Sequence, residues 1–138
     1  MEKSGQDAIL FTRTAEYSIV ENNILHCRML PDVEVDVADI EENLAATLAL
    51  TLGKRYVVLV DARDGNGMTK DAMERVNQPK SYLNLIAQGI VVTSLANRLI
   101  ANFIIRFHKP SSPTQLFPNE EQALAWLREH LAADTSNK

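Results

Sequence analysis

The chain has 138 residues, enough for one domain of ordinary size with a substantial core. Hydrophobic residues make up 46% and charged residues 23%, which excludes a disordered or fibrous chain, and aromatics at 6% require a mainly aliphatic core. A net charge of −4 repels a phosphate backbone and argues against a nucleic-acid partner. The one cysteine, Cys27, excludes an internal disulfide or a thiolate metal cluster.

The opening stretch MEKSGQDAIL lacks the apolar core of a signal peptide. Arg98 and Arg106 interrupt the best apolar run, so no integral membrane segment is expected, and the expected setting is the bacterial cytoplasm. Residues 1–14 carry no clear period and read as a loosely structured lead-in with room for a short strand at Ile9–Phe11. Residues 15–132 form the single domain, and 133–138 a polar tail.

The domain opens on a β-hairpin. Tyr17–Val20 and Ile24–Met29 are β-prone and are separated by Glu21-Asn22-Asn23, residues that tolerate tight turns. Leu25, Cys27 and Met29 alternate with His26 and Arg28, as in an antiparallel strand with one covered face. Asp36 can cap a helix whose apolar stripe is Val37, Ile40, Leu44, Leu48 and Leu52, closed by Gly53. Tyr56–Val60 is a β-branched run without alternation, the pattern of a strand buried on both faces.

Asp64-Gly65-Asn66-Gly67 is a loop, and Thr69 can cap a short helix over Lys70–Asn77 that Pro79 stops. Leu85–Thr93 is a second buried strand, with Ile86, Ile90 and Val92 on one face and Leu85, Ala87 and Val91 on the other. Ser94 caps a helix carrying Leu95, Leu99, Phe103 and Phe107, stopped at Lys109-Pro110. A strand at Thr114–Phe117 and a last helix announced by Asn119 and Gln122 complete the chain, with Leu124, Leu127 and Leu131 inward. The order β-β-α-β-α-β-α-β-α predicts a mixed α/β sheet: parallel central strands with an antiparallel N-terminal hairpin.

This order, with Tyr56–Asp61, Arg98–Phe103, and Pro113–Phe117 followed by Glu121–Leu127, resembles the anti-sigma-factor antagonist group. That is the SpoIIAA-like or STAS fold, and closer still are small bacterial STAS/SEC14-like domains. The resemblance implies a SpoIIAA-like sheet and a regulatory, non-enzymatic role. In that group a serine opening the helix after the central strand is phosphorylated, which switches binding to a partner kinase. Met68-Thr69 stand where the group has Asp-Ser, so the resemblance offers Thr69 as a phosphoacceptor and withholds the aspartate.

Ligands of open α/β sheets bind beyond the carboxyl ends of the strands, beside helix N-termini. That rule marks Asp61, Asp64, Asn66, Thr69, Lys70, Ser94 and Asn97 as a crevice or partner surface. The plainer reading makes Thr69 and Ser94 ordinary N-caps. Asp61, Asp64, Asn66 and Asp71 suit a hard cation by type, but a calcium loop counted from Asp64 puts Thr69 where glycine is needed and has no closing glutamate. Gly65 and Gly67 lack the lysine spacing of a phosphate-binding loop.

His26, His108 and His130 fall on separate elements without ligand spacing, and Cys27 lies on the apolar face of its strand. Arg98, Asn102, Arg106 and Lys109 line one face of a helix, as a dock for an acidic group or as a solvated face. Trp126 flanks the core or serves as an anchor. No catalytic constellation, metal site or cofactor is expected. The leading expectation is a protein-interaction module centred on Thr69. The alternative is a binder of a small apolar molecule or lipid, with its pocket near the helix Leu95–Phe107. Hairpin edge strands can pair between chains, so a homodimer is one expected form.

Overall fold

In the computed structural model, residues 8–65, 67–78, 82–95, 97–99 and 112–134 are described. Ile9–Phe11 (β1), Ala15–Glu21 (β2) and Ile24–Met29 (β3) form an antiparallel meander. Val37–Thr51 (α1) leads to Tyr56–Asp61 (β4), and Lys70–Val76 (α2) leads to Leu85–Val91 (β5). Thr114–Phe117 (β6) and Glu120–Ala133 (α3) end the fold. The six strands lie in the sheet in chain order, with β3–β4, β4–β5 and β5–β6 parallel. This is the mixed sheet that the element order predicts, extended by β1. The segment read as a lead-in thus supplies the edge strand, and Thr14 just after it is buried.

The two faces of β4 separate the core into halves. Tyr56 and Val58 pack with Tyr17, Leu25 and Cys27 against Ala46 and Leu50 of α1. Val57 and Leu59 pack with Ile24, Ala87 and Val91 against Ala123 and Leu127 of α3. A strand sandwiched in this way has no polar face, which is why its sequence does not alternate. A smaller cluster of Val35, Ile40 and Ala72 ties α1 to α2 on the α1 side of the sheet.

The caps read from the sequence form. Asp36 accepts from Val37 N–H and shares a reciprocal capping box with Asp39, Thr69 accepts from Ala72 N–H, and Asn119 accepts from Gln122 N–H. Two expectations about side-chain direction fail. A register shift opposite Tyr56–Val57 puts both Ile86 and Ala87 on the α3 side, leaving Leu85 and Ile90 on the other. One extra residue in a strand reverses the facing of all that follow, and alternation counted from sequence cannot see it.

The second failure is the roll of α1. Its buried residues are Asp39, Ile40, Asn43, Ala46, Thr47, Leu50 and Thr51. Of the expected stripe only Ile40 is buried and Leu44 half-buried, while Leu48 is 62% and Leu52 71% exposed. Polar contacts to the β1–β2 turn set this roll. Arg13 forks the Asp39 carboxylate (Nε to Oδ1 2.7 Å), and Thr14 bonds the Asn43 amide. Thr47 and Thr51 satisfy their hydroxyls on the carbonyls of Asn43 and Thr47 within the helix.

Candidate functional site

A cavity of about 290 Å³ lies between the sheet and the helices α1 and α2. Its floor is the face of β2–β5 bearing Tyr17, Cys27, Val58 and Ile90, and its walls include Ile40 and Thr47 of α1 and Met73 of α2. Period-two alternation brings Tyr17, Leu25, Cys27 and Val58 to one face of the sheet. The roll of α1 then adds Asn43 and Thr47 to a mainly apolar lining that also carries Thr14, Gln88, Ser112 and the phenols of Tyr17, Tyr56 and Tyr82. Aliphatic and methionine walls with a few convergent polar groups are the usual make-up of a small-molecule site.

Those polar groups are held neutral. Burial pushes the Cys27 thiol up to about 11, despite a side-chain hydrogen bond with Tyr17, its cross-strand partner. Burial also raises the phenols of Tyr17, Tyr56 and Tyr82, so each stays protonated at neutral pH. Cys27 is accordingly a poor nucleophile here, which agrees with its reading as a core residue.

On the opposite face, where β3 and β4 end and α3 begins, His26, Asp61 and Glu120 bring their ligating atoms within 4.8 Å of one another. Arg63 binds this group: its guanidinium donates to both oxygens of buried Asp61 (2.8 and 2.7 Å) and to Glu120 (3.0 Å). His26 Nε2 lies 3.3 Å from Glu120 Oε1. Three such residues could ligate a metal by type, but the guanidinium already supplies the positive charge. It holds the Asp61 carboxyl below the usual carboxylate range, against the opposing effect of burial. The arrangement is an arginine clamp that fastens the start of α3 to the end of β4.

The described crevice residues read from the sequence stand in different settings. Asp61 turns into the clamp, Asp64, Lys70, Ser94, Asn97 and Arg98 are exposed, and Thr69 is half-buried. The Thr69 hydroxyl caps α2 and also donates to Asp36 Oδ1, 3.1 Å away. Ser94 Oγ accepts from Asn97 N–H, the first turn of the helix predicted there. Asn66, Asn102, Phe103, Arg106, Phe107, His108 and Lys109 lie outside the described residues. His130 packs its ring on Trp126 at 4.3 Å, and Trp126 meets Phe117 at 5.5 Å, so this pair flanks the α3 core.

Sequence reasoning missed both the cavity wall and the clamp. The spacing of Asp61 and Arg63, with Glu120 in the first turn of a helix, was the available trace of the clamp. For Asn43 and Thr47 there was none, since polar residues in a helix normally face water. Among the described residues no helix is long and apolar enough to cross a membrane.

The fold is that of a solved structure, an uncharacterised protein of the DUF3478 family with a SpoIIAA-like fold from Shewanella loihica PV-4. The likeness covers 87% of this chain and 90% of that one at a TM-score of 0.56, with 14% of residues identical, and it shows the fold alone. No curated protein matches the chain. A family model does match residues 17–131, and the chain belongs to that family, the domain of unknown function DUF7793.

Proposed function

We propose that this domain is a non-enzymatic binding module that takes a small apolar molecule into the cavity between the sheet and helices α1 and α2. The observation that carries this reading is the cavity itself. Its volume of about 290 Å³ falls at the lower end of small-molecule sites, and side chains from β2 through β6 and from both helices converge on it. The sequence pointed to an apolar pocket near Leu95–Phe107, a segment that lies mostly outside the described residues, and the described lining draws on α1 and α2.

Titration with 1-naphthylamine, a two-ring fluorophore that is neutral at pH 7, tests the reading. Saturable enhancement at one site per chain is expected, and Val60→Phe, which fills the cavity from the sheet, should abolish it. No enhancement, or an equal one in Val60→Phe, would remove the reading.

A regulatory protein-interaction module around Thr69 is the second reading. The SpoIIAA-like fold and the half-buried Thr69 at the junction of α1 and α2 favour it. Capture of a partner that survives both Thr69→Ala and Lys70→Glu would deprive it of its surface.

A further inference from the structure

Helix α1 buries polar side chains beside Ile40, Ala46 and Leu50 while part of its apolar stripe stays outside. Leucines 48 and 52 face outward, while Asn43 is 5% exposed and Thr47 6% exposed on the cavity wall. Places where local pattern and observed burial disagree are where function is to be sought. The disagreement here centres on one amide.

Among the described residues the Asn43 side chain is hydrogen-bonded to the Thr14 hydroxyl, which lies 3.2 Å from Nδ2 and 3.5 Å from Oδ1. A primary amide offers two N–H donors and two acceptor lone pairs, so one hydroxyl does not exhaust it. A ligand group that adds a hydrogen bond to such an amide gains what water would otherwise supply.

The described lining carries no ionised side chain: its other polar groups are hydroxyls, amides, phenols and the Cys27 thiol. Against these described walls a charged ligand would find neutral dipoles and lose its hydration without an ionic partner. Size narrows the class further, because a cavity of roughly 150 Å³ takes benzene and this one is about twice that.

We propose that the cavity takes an uncharged molecule of two-ring size whose single hydrogen-bonding group meets the Asn43 amide. This rests on the cavity being a ligand site, and the test separates the two claims. Three compounds on one skeleton (naphthalene, 2-naphthol and 2-naphthoate) are titrated into the full chain and followed by ligand-observed NMR.

2-Naphthol is expected to bind about tenfold more tightly than naphthalene, as one well-made neutral hydrogen bond allows. 2-Naphthoate should bind at least ~10-fold more weakly than 2-naphthol, since its charge is unpaired. Asn43→Leu should erase the gain from the hydroxyl and leave naphthalene within about twofold of its original affinity. Asn43→Ser, which keeps a hydroxyl for Thr14 and withdraws the amide, serves if the leucine variant does not fold. Naphthalene binding with no gain from the hydroxyl, or naphthoate binding as well as naphthol, overturns the ligand class and leaves the cavity reading standing. Binding of none of the three overturns the cavity reading and this inference with it.

Discussion

The Thr69 hydroxyl donates to the Asp36 carboxylate, so the residue that caps α2 is hydrogen-bonded to the residue that caps α1. Backbone contacts run alongside: Val35 N–H donates to the Gly67 carbonyl, and Thr69 N–H to that of Val35. The two helix starts therefore form one joint above the carboxyl end of the sheet. The joint and the cavity share Val35, Gly67 and Met68, so a change at either bears on the other.

Thr69→Val should destabilise the fold by about 1 kcal/mol through loss of the cap, and Asp36→Ala by a similar amount. The double variant should cost less than the sum, because the bond between them can be lost only once. Urea unfolding of the four proteins measures this. Strict additivity would mean that the contact contributes nothing.

Removing the clamp has a pH signature. Asp61 has a depressed pKa in the folded state, so its contribution to stability is present above the ordinary carboxylate pKa near ~4 and is lost as pH falls through the lower folded value. Arg63→Met leaves a buried carboxylate unpaired and should cost about 2 kcal/mol at pH 7, a figure lowered from the buried-pair range because Arg63 is partly solvated. The gap between variant and parent should shrink as pH falls below the ordinary carboxylate range and the Asp61 carboxylate takes up its proton. A pH-independent difference in urea midpoints would refute the assignment.

Cys27 offers a check on the cavity floor. With its thiol pushed up to about 11 against an ordinary 9, its thiolate fraction at pH 8 falls roughly 100-fold. Iodoacetamide should therefore label the folded chain at least ~100-fold more slowly than the chain in urea. Rapid labelling of the native protein would place Cys27 in a wetter site than its burial indicates.

The two faces of the sheet differ in tolerance to added volume. A Cβ at Gly89 would stand 3.3 Å from the Phe117 ring and 3.5 Å from both Ala123 and Leu127. Gly89→Ala should thus destabilise by about 1–3 kcal/mol, because α3 lies directly on the strand. On α1, Leu48→Gln should change stability by less than about 0.5 kcal/mol, whereas Ile40→Ala should cost about 2–5 kcal/mol. Thermal unfolding ranks the three, and a large loss at Leu48 would contradict the observed roll.

What could be read from the sequence alone depended on near neighbours. Asp36, Thr69 and Asn119 cap helices by contacts reaching no more than three residues along the chain, so their spacing is visible in one dimension. The run Tyr56–Val60 announced its double burial by composition, and the element order carried the mixed sheet and the SpoIIAA-like fold. The roll of α1 depended instead on Arg13 and Thr14 reaching Asp39 and Asn43 from another element. The facing of β5 depended on a register shift against β4, and the clamp on the meeting of His26, Asp61, Arg63 and Glu120. Periodicity states that a helix has a buried side. Which side is buried, and what stands opposite it, is decided by partners distant in the chain, and in this protein that decision turned an amide toward a cavity.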